Sequence, residues 1–373
     1  MRTWLTIAVV LIFTAIITQA QTFSVLCNFA GSSGAYPYGG LMQDSAGNLY
    51  GTTYLGGASS AGTIFAVLYG SEPVLHSFSG SDGSIPKGGL IRDQNGVLHG
   101  TTEEGGAFGF GTVFALRSTG SLATLYSFAG GTSDGEYPYG GLALDSEGNL
   151  YGTTESGGAF GFGTVWVVSP GGTESVLHNF SGPDGSSPAY GSLLLDKLGN
   201  LYGVTAYGGA SNDGVVFRIT TAGSFTLLHS FTGVDGSLAY GTPAEDADGN
   251  LYGTAAEGGT YGGGTVWKLT SGGALKVLHE FAGGTADGAY PLAGLVRGSK
   301  GNLYGVTYYS GAFGQGTVFD VKGSTFTLLH SFNCASDGCY PVGALIEDRS
   351  GNLYGTGNVG GPLGFGTVWK LIP

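Results

Sequence analysis

Histidines and carboxylates are the residues of this chain whose types could support chemistry, since it carries six histidines and 26 Asp and Glu residues. A histidine beside a carboxylate can act as an acid or base or bind a metal, and a pair of carboxylates can cleave a glycosidic bond. All six histidines follow a leucine, and five of them stand at multiples of about fifty residues from one another. Spacing this regular calls first for a structural explanation. The five are His76, His178, His229, His279 and His330.

A repeated pentapeptide supplies that explanation. Gly-Asn-Leu-Tyr-Gly, or a near copy, occurs seven times at spacings of 49 to 52 residues, and such self-similarity predicts a repeat architecture. Each unit contains four short apolar segments separated by turn residues, which predicts four strands. In the third unit they are residues 140–145, 149–154, 163–168 and 175–180. The copies close at Gly51, Gly100, Gly152, Gly203, Gly253, Gly305 and Gly355.

Seven units of four antiparallel strands predict an all-β fold, a seven-bladed β-propeller. The Gly-Gly-Leu strand is expected to be innermost, because only residues without bulky side chains let backbones approach at the axis. The chain begins after residue 20 with a lone fourth strand, residues 23–29, and ends after the third strand of the last unit. We expect this strand to pair with residues 366–372 and close the ring, so that residues 21–373 form one domain.

Three motifs recur in fixed order over residues 22–373: Gly-Asn-Leu-Tyr-Gly-Thr-Thr, Gly-Thr-Val-Phe, and Leu-His-Ser-Phe followed by Asp-Gly and Pro. Together they resemble the GloVer tandem repeat of secreted bacterial proteins. The resemblance implies a propeller-like exported protein. It supplies no catalytic residue, because the family has no established biochemical activity.

In register, most of the histidines and aspartates become structural. The five histidines share one position of the outermost strand, which Tyr126 and Cys27 occupy in the other units, so we interpret it as a packing position. Aspartates of the Asp-x-x-Gly-Asn motif are predicted to cap hairpin turns. A second set precedes Gly in the loops between blades and is also predicted to form turns. This set comprises Asp82, Asp134, Asp184, Asp235, Asp287 and Asp337.

Alternating strand direction places the tight Asp-x-x-Gly-Asn hairpins on one face of the disc and the longer loops on the other, which we call the long-loop face. Function is usually carried by such loops. Aromatic rings beside carboxylates suit a glycan, so we predict a binding surface here; the alternative is that the aromatics fold under their own loops. The predicted residues are Glu103, Glu104, Phe108, Phe110, Glu155, Phe160, Phe162, Glu257, Tyr261, Phe313 and Phe365.

The predicted function is that of a binding module for an extracellular polysaccharide or a protein, without catalysis. Two alternatives stay open. One is a carbohydrate-active enzyme that uses Glu103, Glu104 and Glu155 as acid and base. The other is a structural component of the cell envelope. The sequence predicts no catalytic residue, no metal site and no cofactor, because unit lengths differ by only three residues and the unmatched polar positions, among them Lys87, are scattered singly along the chain.

The composition and the first residues indicate the compartment. Met1 and Arg2 precede a mostly apolar stretch from Trp4 to Ile17, and Thr18, Gln19 and Ala20 follow it. This pattern predicts a signal peptide over residues 1–20 and a secreted, extracellular or periplasmic protein. We expect no membrane span after its removal. A net charge of −13 with only 13 basic residues argues against nucleic acid as a partner, and we expect a monomer.

The chain has three cysteines. Cys334 and Cys339 are close in sequence, and in an exported protein they are predicted to form a disulfide. Cys27 occupies the histidine position of the repeat and is predicted to be a buried free thiol.

Overall fold

The computed structural model describes residues 21–68, 71–188 and 191–373, and every regular element in these ranges is a β-strand. The predicted signal peptide, residues 1–20, lies outside the described residues. Nothing in the described part of the chain forms a helix long and apolar enough to span a membrane.

Seven four-stranded antiparallel sheets form the blades, which confirms the predicted seven-bladed β-propeller. From the axis outward, the strands of blade 1 are Met42–Gln43, Leu49–Leu55, Thr63–Val67 and Val74–Ser77, and those of blade 2 are Ile91–Arg92, Leu98–Thr102, Thr112–Leu116 and Leu122–Ser127. In the same order, the strands of blade 3 are Ala143–Leu144, Leu150–Thr154, Thr164–Val168 and Glu174–Asn179, and those of blade 4 are Leu194–Leu195, Asn200–Thr205, Val215–Thr220 and Phe225–Ser230. The strands of blade 5 are Ala244–Glu245, Leu251–Ala255, Thr265–Leu269 and Leu275–Glu280, and those of blade 6 are Val296–Arg297, Leu303–Thr307, Thr317–Lys322 and Thr325–Ser331. Blade 7 consists of Ile346–Glu347, Leu353–Gly357, Thr367–Ile372 and Thr22–Asn28. Short loop strands add Ala35–Pro37, Gly135–Glu136, Ser156–Gly157, Gly288–Ala289 and Tyr309–Ser310.

The ring closes as predicted, with strand Thr22–Asn28 as the outer strand of blade 7. It runs antiparallel to Thr367–Ile372, with Thr22 opposite Ile372 and Asn28 opposite Thr367. Phe23 packs between His330 of blade 6 and Trp369 of blade 7, at ring-centroid distances of 3.9 and 5.5 Å. The first and last segments of the described chain therefore share one sheet.

The hairpin between the first and second strands explains most of the pentapeptide. In blade 5, Asp246 Oδ1 accepts hydrogen bonds from the amides of Asp248 and Asn250, each at 2.9 Å, and Oδ2 accepts from Asn250 Nδ2 at 2.8 Å and the Tyr252 hydroxyl at 2.9 Å. Burial alone would disfavour the charge, but these donors lower the pKa of Asp246 to about 2. The Asn and Tyr of the pentapeptide thus hold the turn aspartate of the same blade.

At two places in the first unit a glycine allows a neighbouring atom to come closer to the backbone than a side chain would permit. A Cβ at Gly51, the last residue of the first pentapeptide, would lie 2.7 Å from Cζ of Phe65 on the third strand. At the axis, a Cβ at Gly39 would lie 2.7 Å from the backbone carbon of Gly88 in the next blade. The Gly-Gly-Leu segment is therefore innermost, as predicted, although its regular strand is only two residues long in each blade.

The repeated histidines bind the repeated aspartates of the next loop at the rim. His76 Nε2 lies 2.8 Å from Asp82 Oδ2, and the same Asp accepts the Ser79 amide at 2.8 Å. Equivalent contacts of 2.8 to 3.0 Å occur in four other blades. Both sets of side chains are thus used in holding the blade-connecting loops, which supports the structural interpretation. The other pairs are His178–Asp184, His229–Asp235, His279–Asp287 and His330–Asp337.

In the two units without histidine at this rim position, a glutamate from the next blade lies beside it, and the Tyr126 hydroxyl donates to Asp134 at 2.9 Å as the histidines bind their aspartates. Where the histidine is present, a ring of the next outer strand can stack on it, as Phe225 does on His178 at 4.0 Å. In the two other units a glutamate takes the place of the stacking ring: Glu72 lies next to Cys27, and Glu174 lies next to Tyr126. Cys27 is a buried free thiol, as predicted, and donates to Glu72; burial and this contact raise the pKa of Cys27.

Glu174 makes the rim pH-sensitive. Burial first, and then the charge of Asp134, raise the pKa of Glu174 to about 7, and its Oε1 is buried without a hydrogen-bond partner in the described structure. A carboxyl whose folded pKa exceeds its unfolded value of about 4.3 stabilises the fold below that value and loses this contribution as pH rises through 7. We expect Glu174→Gln to raise the free energy of unfolding at pH 8 by about 1 kcal/mol, after allowance for solvent screening of a half-buried group.

The measurement is thermal melting of both proteins between pH 5 and 8. The gain of Glu174→Gln should shrink toward pH 5, where the wild-type carboxyl is protonated. A gain that is equal at both pH values would show that titration of Glu174 is not its cause.

The second cysteine prediction is also confirmed, since Cys334 and Cys339 form a disulfide in the loop that leads into blade 7.

Candidate functional site

Two repeat positions meet at the end of the central channel on the long-loop face, which we call the mouth. The first position precedes the axial Gly-Gly or its equivalent, and the second lies at the end of the second strand. At both positions the residue type differs between blades. In the order of blades 1 to 7, the first position holds Tyr38, Lys87, Tyr139, a residue outside the described ranges, Tyr240, Leu292 and Val342. In the same order, the second position holds Tyr54, Glu103, Glu155, Ala206, Ala256, Tyr308 and Asn358.

A strained backbone clamp positions both sets. In every blade one non-glycine residue before the first strand has φ between 50 and 61°, a region that side chains rarely adopt. In blade 3 this residue is Tyr137: its amide donates to the Phe110 carbonyl of blade 2 at 3.0 Å, and its carbonyl accepts the Glu155 amide at 3.1 Å. The clamp therefore fixes the second position of its own blade relative to the blade before it.

Lys87 is the centre of a cluster on blades 1 to 3. Its Nζ lies 2.7 Å from Glu103 Oε2, and the two side chains are only 19% and 16% exposed. The same Nζ lies 4.2 Å from the ring centroid of Tyr139 and 5.8 Å from those of Tyr38 and Tyr54. An ammonium over aromatic faces is held by both the ring quadrupoles and the carboxylate. We call these five residues together with Glu155 the mouth cluster.

Glu155 adds a second carboxyl of different protonation behaviour. Burial first, and then the negative charge of Glu103, raise the pKa of Glu155, and Lys87 offsets part of the shift. Glu103 has an ammonium partner, whereas Glu155 has no ion pair of this kind in the described structure. The cluster thus contains one ion pair and a second carboxyl whose pKa is raised.

A group of tyrosines from blades 6 and 7 continues the aromatic lining. The rings of Tyr308 and Tyr340 stack at 5.1 Å, and Tyr309 meets Tyr308 edge-on at 4.6 Å. Burial raises the pKa of Tyr308, and Tyr309, Tyr340 and Tyr54 add to the shift. Tyr54 therefore links this group to the rest of the mouth cluster.

The chemistry of the mouth is strongly one-sided. Blades 6, 7, 1, 2 and 3 form a continuous arc with polar or aromatic side chains at the second position, whereas blades 4 and 5 carry Ala206 and Ala256. A repeat ring that served only to hold itself together would have no reason to differ between blades here.

A narrow cavity lies behind the mouth. It encloses about 200 Å³ and is lined by the axial residues of the first strands, with Tyr38 and Lys87 among its walls. This is less than the roughly 300–1,000 Å³ of pockets that enclose a drug-sized ligand. The cavity can take one small group of a ligand whose remainder stays at the mouth.

The structure brings together only two of the four predicted glutamates, Glu103 and Glu155. Glu104 and Glu257 each follow a mouth position, and their backbones pair with Ser84 and Ser237. No hydrogen bond or ion pair within the described ranges joins their side chains to the mouth cluster. Their role in binding stays a prediction.

The predicted aromatics divide into packed and exposed residues. Phe110 and Phe365 pack against buried core side chains, and Phe162, although 42% exposed, lies against the loop at Gly182. Phe108, Phe160, Tyr261 and Phe313 are 57 to 66% exposed at the tips of their loops. Phe110, Phe365 and Phe162 thus pack under or against loops, as the alternative expected. The other four rings are exposed, as a binding surface requires.

Sequence reasoning missed Lys87 and the tyrosines of the mouth. Lys87 was expected to be an isolated departure from the repeat, and this expectation is wrong, because the next-strand Glu103 and the next-blade Tyr139 both contact it. Comparing the units position by position would have found part of the signal, because Lys87 and Glu103 depart from the repeat at positions that adjoin each other in the ring. Among the described residues, no group of three or more His, Cys, Asp or Glu is arranged to hold a metal ion.

Solved structures with similar folds come from B. thetaiotaomicron. The extracellular domain of a hybrid two-component system has a TM-score of 0.62 and 12% identity, over 93% of this chain and 39% of that one. The extracellular domain of a one-component system has a TM-score of 0.62 and 13% identity, over 94% and 40%. The chain spans about two fifths of their length, and at this identity the likeness shows the fold alone.

No curated protein sequence matches the chain. The sequence profile of the Gloeobacter/Verrucomicrobia repeat matches three overlapping segments, residues 11–194, 69–245 and 189–373. These segments include all seven blades, so the resemblance read from the motifs is confirmed. The chain therefore belongs to the Gloeobacter/Verrucomicrobia repeat family.

Proposed function

We propose that the protein is an extracellular binding module that holds a neutral saccharide at the mouth of its central channel. The observation that carries this proposal is the mouth cluster, in which a buried Lys87–Glu103 pair, a second carboxyl and three tyrosine rings occupy one arc of an otherwise repetitive ring. Tyrosine faces stack on the apolar C–H faces of sugars, and the polar groups at the rings' edges serve sugar hydroxyls.

Charge balance favours a neutral ligand. Lys87 and Glu103 cancel each other, and the raised pKa of Glu155 reduces the remaining negative charge. A phosphate or carboxylate ligand would meet two carboxyls and no unpaired cation. A cationic ligand would compete with Lys87, which already occupies the aromatic site at 4.2 Å from the Tyr139 ring.

Separate observations support export. A disulfide such as Cys334–Cys339 persists in oxidising compartments, and the sequence predicts a signal peptide over residues 1–20. The proposed ligand is therefore a polysaccharide, or a released piece of one, outside the cytoplasm.

The test is calorimetric titration of the mature chain with neutral hexasaccharides, namely cellohexaose, chitohexaose and laminarihexaose. We expect at least one to bind, and Tyr38→Ala to weaken its binding about tenfold, the effect of losing roughly 1.4 kcal/mol of aromatic contact. Tyr261→Ala, which removes an exposed tyrosine of the same face away from the mouth, is the matched control. Binding of none of the three sugars, or equal affinity of Tyr38→Ala and wild type, would overturn the proposal.

Glycoside cleavage is the second candidate function, and the two carboxyls of the mouth favour it specifically. Acid-assisted cleavage requires a pair of carboxyls of which one has a raised pKa, and burial raises the pKa of Glu155 near Glu103. Release of reducing ends from a bound hexasaccharide, lost in Glu155→Gln while binding persists, would establish it. Binding without release at any pH between 4 and 8 would exclude it for those sugars.

A further inference from the structure

Five exposed apolar side chains stand at one and the same position of five blades. Each is at the tip of the loop between the second and third strands and is 56 to 66% exposed. We call these residues the crown. They are Phe108, Phe160, Tyr261, Phe313 and Leu363.

The loops hold the crown residues at a common height. In blade 2 the Gly106 amide donates to the Gly80 carbonyl at 2.9 Å and the Gly111 amide to the Gly105 carbonyl at 3.1 Å. Equivalent bonds recur in every blade, with distances between 2.7 and 3.2 Å. Because the blades are arranged around one axis, loops of the same shape place their tips on one circle in one plane.

Within the described ranges the crown residues stay largely exposed. The glycine after each tip residue has positive φ, and a Cβ built on it would meet no atom within 4 Å, so each side chain projects beside open space. The five loops contain no charged residue between their first and last glycines. Single exposed apolar side chains are ordinary on a protein surface, but here they recur at one position in five of the seven blades, which indicates a shared role.

We propose that the crown binds the flat face of a crystalline neutral polysaccharide, as a surface separate from the mouth. A flat circle of separated rings matches an array of sugar rings. A second copy or a protein partner would require a contiguous apolar patch, which glycine-separated tips do not provide.

Charge also selects this occupant. With a net charge of −13 the protein is repelled by a second copy of itself and by an anionic bilayer, and the crown loops carry no lysine or arginine to attract lipid head groups. A neutral polymer surface imposes no such penalty. Several weak contacts to one solid surface add up, because each contact raises the effective concentration of the next.

Two blades leave gaps in the crown and offer a gain-of-function test. Ser59 of blade 1 and Ser211 of blade 4 stand at the tip position, and the residues after them, Ser60 and Asn212, also have positive φ, at 56° and 62°. The backbone of these loops is therefore already shaped to present a ring. Ser59→Phe and Ser211→Phe complete the circle without disturbing the core.

The experiment measures partition of the mature chain onto microcrystalline cellulose and crystalline chitin. We expect retention on at least one of them, a loss of about tenfold in Phe108→Ser/Phe160→Ser, and a gain of at least threefold in Ser59→Phe/Ser211→Phe. Leu198→Ser is the matched control, since Leu198 is 88% exposed but lies in a hairpin of the opposite face.

Failure of this proposal is distinguishable from failure of the mouth proposal. Crown variants should bind soluble hexasaccharides like the wild type, and Tyr38→Ala should still partition onto the solid. The crown proposal is overturned if neither solid retains the protein, or if Phe108→Ser/Phe160→Ser partitions like the wild type. It is also overturned if the crown instead drives binding to phosphatidylcholine or phosphatidylglycerol vesicles.

Discussion

A chain that lacks residues 21–30 should fail to form the propeller. The deletion removes the outer strand of blade 7 and with it six backbone pairs to the third strand. It also removes Phe29, which is 1% exposed and packs edge-on against Phe65 of blade 1 at 4.9 Å. Loss of a buried phenylalanine alone costs about 3–5 kcal/mol, against a total stability of about 5–15 kcal/mol for a typical domain.

Circular dichroism and thermal melting of the purified deletion variant measure this effect. The control moves residues 21–30 to follow Pro373 through a short Gly-Ser linker, because Thr22 lies opposite Ile372 and the pair can be joined as a hairpin. This rearranged variant should fold and melt close to the wild type. A deletion variant that retains a cooperative transition within a few degrees of the wild type would refute the closure.

Loss of Lys87 should have the second largest effect and should affect both stability and binding. Lys87→Met leaves Glu103 buried without its partner, since the two side chains are 19% and 16% exposed and 2.7 Å apart in the wild type. Removing one member of a buried pair costs about 3–5 kcal/mol, and we expect the lower end for a pair at a channel mouth. Binding of the hexasaccharide that the wild type holds should fall by at least tenfold.

The double variant Lys87→Met/Glu103→Leu separates the two effects. Replacing both charges by apolar groups removes the unpaired carboxylate, so stability should recover to within about 1 kcal/mol of the wild type. Binding should stay lost, because the polar groups that face the sugar are gone. Wild-type affinity in a stable double variant would show that the pair is structural only.

The fold could be predicted from the sequence because its determinants are local and repeated. The hairpin aspartate, the asparagine and tyrosine that donate to it, and the glycine that admits the third-strand aromatic all lie within one short segment, as Asp246, Asn250 and Tyr252 illustrate. Seven copies of the same local signals left little choice of architecture. Ring closure followed from counting strands at the two ends.

The mouth could not be predicted in the same way, because its residues are far apart in sequence. Lys87 contacts Tyr139 across 52 residues and lies near Tyr38 and Tyr54 of the blade before it. Lys87 is a single departure from the repeat, whereas tyrosine also stands in other units at the position of Tyr38 and Tyr139, so neither is distinctive in its own unit. Only the radial arrangement, which brings equivalent positions of neighbouring blades together, places these residues in one cluster.

Among the loop aromatics, sequence did not separate exposed from packed rings. Phe108 and Phe110 are two residues apart in one loop, yet Phe108 is 60% exposed and Phe110 packs on the core of blades 2 and 3. The intervening Gly109, with φ of 89°, turns the chain between them. The alternation is a property of the loop's backbone, which hydrophobicity alone does not reveal.

The central claim is that the mouth cluster is the ligand site, and a crystal structure of the mature chain with a bound hexasaccharide tests it most directly. The account predicts a sugar ring stacked on Tyr38 or Tyr54, with hydroxyls within hydrogen-bond distance of Glu155 and one end of the chain directed into the cavity of about 200 Å³. A hexasaccharide held only elsewhere on the protein, with the mouth empty, would contradict it.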